Sequence, residues 1–410
     1  MDLGYWAFGA LVVAILVSCT TELNVGILAI ALAWVVGSVI GDMKADEVIR
    51  GFPAGLFLTL AGVTLLFTQA QANGTLERLA HRAVRLCRGN AGLVPILFFA
   101  LAAAIATIGP GNIATAALMA PIAMQVAGRA GIPAFLMAIM VGNGANAGSL
   151  SPFAPTGIIV NNLMDRIGVP GVEWQTYANN LFAHATVAFA GYFLFGGWRL
   201  FGASSRTETH DKGEAFESRH WLTLGVIACL ITSVIFLRVH VGMAAFVGAA
   251  LLAGLRASDH KDTVRRMPWN VIVMVCGVTV LISLLERTSG MDIFAALIAR
   301  ISTQQTVTGV VAFLAGIVSV YSSTSGVVLP AFLPTIPGLI ENLGGGQPLA
   351  IASSMNVGGH LVDVSPLSTI GALCLASAAP GVNTRHLFNQ LMAWGLSMSV
   401  VGAIACYLLF

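Results

Sequence analysis

The sequence predicts an all-α polytopic membrane protein with two inverted repeats, each made of five transmembrane helices and one re-entrant hairpin. Its 410 residues are 57% hydrophobic and only 9% charged, with a mean hydropathy of +0.86, whereas soluble domains are roughly 25% charged. Two apolar spans, 132–164 and 348–379, are interrupted by glycine, asparagine, serine and proline. Short strings also recur, since Gly62-Val-Thr-Leu65 returns as Gly277-Val-Thr-Val280. Paired interrupted helices in two halves of a chain indicate a transporter binding site.

The first repeat is predicted at residues 1–200, where the apolar runs approach the roughly 20 residues that cross a bilayer as a helix. A basic amphipathic segment at 76–88 separates two groups of these runs. The remaining predicted elements are membrane helices at 5–19, 22–41, 52–72 and 175–198, a hairpin at 91–127 and a broken helix at 132–164.

The second repeat is predicted at residues 221–410, after a polar cytoplasmic linker at 201–220. Its elements are membrane helices at 221–237, 241–255, 268–286 and 386–408, an amphipathic segment at 291–302, a hairpin at 305–341 and a broken helix at 348–379. Five crossings per repeat is an odd number, so the two repeats are expected to have opposite orientations in the membrane.

The distribution of basic residues predicts the orientation of the chain. With segment 76–88 placed in the cytoplasm, 14 of the 20 Lys and Arg residues fall on the cytoplasmic side. This bias follows the positive-inside rule and predicts both termini outside. Since the first basic residue is Lys44, the opening helix lacks the basic region of a secretory signal and is expected to belong to the mature fold.

The tips of the two hairpins are the predicted anion site. A second half-helix that starts at a tip directs its free N–H groups and its positive dipole end towards the cavity, and this arrangement binds an anion without a cationic side chain. Neither tip contains Lys or Arg. The predicted substrate-binding residues are Gly111, Asn112, Thr115, Asn146, Ser323, Thr324, Ser325, Gly326, His360 and Thr369.

A cation site or coupling site is predicted beside each tip, because unwound carbonyls at 142–157 and 356–371 suit Na⁺. The candidates are Thr107, Gly109, Asn143, Ser322, Asn356 and Asp363. His360 and Asp363 are ionisable groups at membrane depth, and such groups are usually functional because their burial costs free energy. In the alternative interpretation the small residues only pack helices, and Asp363 only caps a half-helix.

The string Gly111-Asn-Ile-Ala-Thr-Ala-Ala-Leu-Met-Ala-Pro121 resembles the hairpin-tip signature of the divalent anion/sodium symporters, within the ion transporter superfamily. The preceding Thr107-Ile-Gly-Pro-Gly111 is more similar to the MatC-type dicarboxylate (malonate) carriers. The resemblance implies a homodimeric elevator transporter with a scaffold domain and a transport domain, and it implies that Asn112 binds a carboxylate. This chain departs from the signature at four positions: Gly111 replaces the first serine, Ser325 replaces the second asparagine, and Ile113 and Gly326 replace the two threonines.

The expected function is therefore secondary active import of a small dicarboxylate, malonate or a C4 acid, coupled to Na⁺ or H⁺ in a bacterial inner membrane. Transport of an inorganic oxyanion or a monocarboxylate on the same fold is an alternative. An intramembrane hydrolase using a serine with His360 is a remote one, because the sequence lacks a G-x-S-x-G elbow. No enzyme activity, cofactor or nucleic-acid partner is expected, since the net charge is +2 and the six cysteines lack metal-ligand spacing.

Overall fold

The computed structural model describes residues 3–21, 23–84, 90–202 and 215–410, and the secondary structure of these residues is helical, without strands. Among them, eight helices are long and apolar enough to cross a membrane. Large apolar side chains such as Leu16, Ile27, Phe236 and Leu408 are exposed on the outer surface, as lipid contact requires. The end of the predicted segment 76–88 and residues 203–214 of the predicted linker lie outside the described residues.

The described residues of the first half form ten α-helices. Asn24 caps the second of them through its side-chain oxygen, which accepts the Gly26 amide. These helices are α1 (Leu3–Thr20), α2 (Val25–Trp34), α3 (Ala45–Ile49), α4 (Ala54–Ala72), α5 (Thr75–Val84), α6 (Leu93–Ile108), α7 (Gly111–Ala130), α8 (Ala134–Gly148), α9 (Pro155–Arg166) and α10 (Glu173–Leu194). A π-helical segment, Val35–Ile40, extends α2.

The second half repeats this order of elements. Its helices are α11 (Ser218–Leu237), α12 (Val241–Gly254), α13 (His260–Arg266), α14 (Trp269–Arg287), α15 (Gly290–Arg300), α16 (Val307–Tyr321), α17 (Leu329–Phe332), α18 (Ile336–Leu343), α19 (Pro348–Leu361), α20 (Thr369–Ala376) and α21 (Thr384–Leu409). The counterpart of α7 is not a single α-helix. It consists of a π-helical segment, Thr324–Val328, followed by α17, a 3₁₀ turn and α18.

Helices of the first half pack on helices of the second half. Helix α4 of the first half packs on α12 of the second, and α14 of the second half packs on α2 of the first. Glycines make both contacts possible: a Cβ on Gly62 would overlap the carbonyl of Gly242, and a Cβ on Gly277 would overlap the carbonyl of Gly26. Since Gly62 and Gly277 occupy the repeated Gly-Val-Thr string, the same close approach occurs twice.

The buried apolar side chains form two clusters. The larger cluster contains the cores of α1, α2, α4, α12, α14 and α15. The other cluster contains the cores of α6, α7, α8, α10 and α21, together with residues of α16, α19 and α20. The first hairpin and α8 therefore share a cluster with α10 and α21, whereas α9 and most buried residues of the second hairpin belong to the larger cluster with the continuous helices.

Candidate functional site

A cavity of about 280 Å³ lies between the start of α7 and the helices α4 and α14. This volume is close to the lower end of small-molecule pockets, which is roughly 300 Å³. Residues from both halves form its walls. They are Thr64, Phe67, Thr68 and Gln71 of α4, Pro110 to Ala114 and Ala117 around α7, Pro155, Thr156 and Ile159 of α9, Arg266 of α13, Pro268 and Val271 around α14, and Ser325 of the second tip.

The first hairpin tip requires glycine at two positions. Gly109 has φ +151° and Gly111 has φ +78°, and this region of φ strains residues that carry a Cβ. A Cβ on Gly109 would also overlap the Phe67 ring, while one on Gly111 would approach Pro155 Cδ to 3.0 Å. The N-cap of α7 is Pro110, which provides no capping side chain. The first turn of α7 thus presents backbone amides to the cavity.

Asn112 connects this tip to the broken helix α8–α9. Its Nδ2 donates to Asn146 Oδ1 at 2.9 Å, and its Oδ1 accepts the Ile113 amide at 3.0 Å. Asn146 is fully buried and its Nδ2 donates to the His360 carbonyl at 3.2 Å. Asn112 is held in place by these bonds, and its second N–H remains available to a ligand.

The break between α8 and α9 is fixed against the same tip. Ser151 Oγ donates to the Thr107 carbonyl at 2.7 Å, and the Gly157 amide donates across the break to the Ser149 carbonyl at 3.0 Å. A Cβ on Gly157 would overlap the Ser151 carbonyl, and a Cβ on Gly371 would overlap the Ser365 carbonyl. The equivalent break in the second half therefore has the same geometry.

A buried carboxylate, that of Asp363 in the second broken helix, lies beside the second tip. The Asp363 side chain lies between the π-helical segment and α16, with Thr324 Oγ1 at 2.7 Å and Ser319 Oγ at 3.4 Å from its Oδ1. Thr324 Oγ1 also lies 3.2 Å from the Gly359 carbonyl and contacts Ser319 Oγ. Within the described residues, Asp363 has no ion-pair partner. The cluster offers only oxygen atoms, the ligands that hard cations prefer.

A polar seam runs behind the cavity, formed by Asn143, Asn146, Asn180, His184 and His360. All five are fully buried. His184 Nδ1 lies 3.0 Å from Asn143 Oδ1, and Asn180 Nδ2 donates to the Asn146 carbonyl at 2.7 Å. The His184 and His360 ring centroids are 6.5 Å apart, and within the described residues neither Nε2 has a hydrogen-bond partner. The seam joins α8, α10 and α19 into one unit.

Only three of the predicted substrate residues line the cavity, namely Gly111, Asn112 and Ser325. His360 is fully buried, its carbonyl accepts a hydrogen bond from Asn146, and it does not line the cavity. Thr115 is buried with an unpartnered hydroxyl, and Thr369 is exposed. The side chain of Met274 lies where a Cβ on Gly326 would point.

The predicted cation residues are divided between the two tips. Thr107 Oγ1 is 2.9 Å from the Tyr177 hydroxyl, and Ser322 Oγ is 2.7 Å from Ser18 Oγ. The Asn356 amide is buried in the seam region with neither polar atom bonded among the described residues. Ser323 caps the π-helical segment by accepting the Gly326 amide.

The expected unwinding of 142–157 and 356–371 is wrong at the N-terminal side of each range. Helix α8 continues to Gly148, and helix α19 continues to Leu361. The glycines here serve packing rather than unwinding, because a Cβ on Gly144 would lie 2.5 Å from the Phe99 carbonyl. The small-residue packing interpretation is therefore correct for these turns, and the breaks themselves are shorter.

Sequence reasoning missed His184, Asn180, Ser319 and Arg266. The first two lie within the predicted apolar span 175–198, where polar side chains at a helical spacing of four residues were a usable signal. Ser319 gave no such signal, because single serines are common in membrane helices. Arg266 was counted only as a cytoplasmic charge.

Comparison with known proteins supports a transporter. Residues 1–149 match the family model described as the dicarboxylate carrier protein MatC N-terminus. Two proteins of Mycobacterium tuberculosis, the uncharacterized transporters MT2759 (strain CDC 1551) and Rv2685 (strain H37Rv), are each 22% identical over 365 residues, covering 82% of this chain and 82% of theirs.

Two solved transporter structures share the fold. The YdaH transporter of Alcanivorax borkumensis aligns with a TM-score of 0.59 at 16% identity, covering 98% of both chains. MtrF of Neisseria gonorrhoeae, described as one of a class of antimetabolite efflux pumps, aligns with a TM-score of 0.58 at 13% identity, covering 92% of this chain and 83% of its own. These comparisons, with the apolar exposed surface, support an integral membrane protein of transporter type whose first 149 residues are similar to a dicarboxylate carrier.

Proposed function

We propose that this chain is a secondary active transporter that imports a small dicarboxylate, malonate or a C4 acid, and couples this transport to a cation. One observation carries the proposal: a cavity between two groups of membrane helices is lined by the start of α7, by Asn112 and by Ser325 of the second tip. Tip residues from both halves thus meet at one anion-sized space. The resemblance of the first tip to the divalent anion/sodium symporters supports the same function.

The first tip has the chemistry that a carboxylate requires. Unpaired amides at a helix start carry partial positive charge, and the aligned peptide dipoles add to it. The Asn112 side chain adds a fixed N–H donor. A neutral donor set of this kind binds a carboxylate without the lasting ion pair that an adjacent Lys or Arg would form. Such a substrate can leave again on the other side of the membrane.

The second tip supplies the coupling in this proposal. The neighbour of Ser325 in the chain is Thr324, whose hydroxyl bonds to the Asp363 carboxylate. A dianion in the cavity and an ionised Asp363 would repel each other in a medium of low dielectric constant. A cation or a proton bound at Asp363 removes this repulsion, so substrate and cation favour each other's binding. Such mutual dependence is thermodynamic coupling between two sites.

An elevator movement fits the division of the bundle. The hairpin helices α6, α7 and α16 pack on the broken-helix segments α8 and α19, which also pack on α10 and α21. The helices of a second group, α1, α2, α4, α12 and α14, pack on one another. We propose that the first group moves as a transport domain against a scaffold of α1, α2, α4, α11, α12 and α14, within a homodimer that has its termini outside the cell. The α4–α12 and α2–α14 contacts join both halves within this scaffold.

The test is uptake of radiolabelled malonate and succinate into proteoliposomes, with Na⁺ and pH gradients imposed separately and together. We expect accumulation of at least one acid, driven by one of the two gradients. Uptake of labelled sulfate or lactate, with neither dicarboxylate taken up, would instead assign an oxyanion or a monocarboxylate to this fold. Equilibration without accumulation under either gradient would contradict cation coupling.

A further inference from the structure

Arg266 is the only charged residue among the described residues that line the cavity. It is the last residue of α13, which packs on α4, and its position is on the side of the cavity formed by the continuous helices. The neighbouring Arg265 does not line the cavity. The cavity lining therefore includes two sources of positive charge of different kinds, the start of α7 and the side chain of Arg266.

The present partner of Arg266 is weakly bound. Its Nη2 lies 2.8 Å from Asp262 Oδ2 one helical turn away, and the two side chains are 61% and 45% exposed. Exposed pairs at this spacing contribute little to stability, because water and salt screen them. A carboxylate arriving in the cavity can compete with Asp262 for the guanidinium, whose planar fork binds carboxylates with two parallel hydrogen bonds.

We propose that Arg266 binds the distal carboxylate of the substrate and so selects dicarboxylates over monocarboxylates, an inference that rests on the proposed function. The start of α7 and Asn112 bind one carboxylate, and Arg266 binds the other. A monoanion of the same length satisfies only one of these ends. Asp262 competes with the substrate for the Arg266 guanidinium, and this competition weakens the apparent affinity of the transporter for the substrate.

The proposed role accounts for the position of the Arg266 charge outside the two tips. A cation within either tip would travel with the substrate through the membrane at a high desolvation cost. An arginine on a cytoplasmic-end helix, which belongs to the proposed scaffold side, remains at the membrane surface. It can meet the substrate only when the tips face that surface.

The experiment compares Arg266→Gln with the wild-type chain in proteoliposomes, using whichever of succinate and malonate is transported. We expect the KM for the dicarboxylate to rise about tenfold or more, as loss of a charged hydrogen-bonded pair implies, while the maximal rate changes less. The half-amide of the same acid serves as an inhibitor of matched shape that has one charge. The wild type should prefer the dicarboxylate, and the ratio of the two inhibition constants should fall towards one in Arg266→Gln.

Three variants complete the test. Arg265→Gln removes a neighbouring charge and should leave the KM unchanged. Asp262→Asn frees Arg266 and should lower the KM, and Arg266→Lys should restore part of the preference. Thermal melting of each purified protein shows whether it is folded. If the folded Arg266→Gln protein keeps the wild-type KM and inhibition ratio, the role of Arg266 is overturned and the proposed function still stands. If the wild type transports neither acid, the proposed function is overturned instead.

Discussion

Asn112 and Asp363 give the two tips different electrostatic characters, although the tips occupy equivalent places in the repeat. Asn112 is neutral, bonds to Asn146 and lines the cavity. Asp363 is a carboxyl group that bonds to Thr324 behind the cavity wall. The chain has thus differentiated a symmetric pair of tips. In the proposed function the first tip binds the anion, and Asp363 beside the second tip binds the cation that neutralises it.

Replacement of Asn112 by alanine is expected to abolish uptake while leaving the protein folded. The change removes a fixed N–H donor from the cavity and releases Asn146 Oδ1, which has no other partner among the described residues. Radiolabelled uptake and thermal melting measure the two effects. Asn342→Ala is the matched control, because Asn342 lies exposed near the end of α18 and its loss should not affect uptake. Normal uptake by the Asn112 variant would remove that residue from the site.

Replacement of Asp363 by asparagine is expected to remove or shift the dependence of uptake on the driving cation. The amide retains the size of the side chain and can still bond to Thr324, but it carries no charge to be neutralised. The measurement is uptake as a function of Na⁺ concentration and of pH. Asp292→Asn, a change at an exposed residue in the first turn of α15, is the control. Unaltered Na⁺ and pH profiles in the Asp363 variant would make this carboxyl structural.

At the scale of helices, close contacts between backbone segments, rather than a flexible sequence, fix the conformation of the two helix breaks. Gly157 and Gly371 each lie against the carbonyl of the serine six residues earlier. Pro155 then starts α9 at a position where a missing N–H costs nothing. Each break is therefore a rigid bend with defined hydrogen bonds.

Alanine at Gly157 or Gly371 is expected to destabilise the protein by roughly 1–3 kcal/mol or more, as overpacking in a tight core does, because the new methyl group meets a backbone carbonyl that cannot rotate away. Melting temperature in detergent reports this loss. Gly9→Ala provides the comparison: it also lies within a helix, but a Cβ there meets nothing within 4 Å. Equal melting temperatures for Gly157→Ala and Gly9→Ala would contradict these close contacts.

The helices could be predicted because an apolar run of about 20 residues in a bilayer forms a membrane-spanning α-helix. The predicted span 268–286 corresponds to α14, and 386–408 corresponds to α21. The site was harder to predict. That His360 lies behind Asn146, and that Arg266 reaches the cavity, depends on how distant elements pack, and a single sequence does not record this packing. The extent of each break was overestimated because glycine signals close helix contact as well as unwinding.

For the whole molecule, the most informative feature is the pair of helix contacts between the halves. Gly62 meets Gly242 and Gly277 meets Gly26, so each half covers a helix of the other. The body of continuous helices is therefore a joint product of both halves, and it cannot be divided into a first and a second domain along the chain.

This arrangement has a consequence for biogenesis. When the ribosome has completed the first half, α4 is already in the membrane, but α12, its partner, has not yet been synthesised. The face around Gly62 must then be covered by lipid or by the insertion machinery until Val241–Gly254 has also been synthesised. Final assembly of the bundle is thus a late, post-insertion step, and quality control has an exposed small-residue groove to recognise in every incomplete chain.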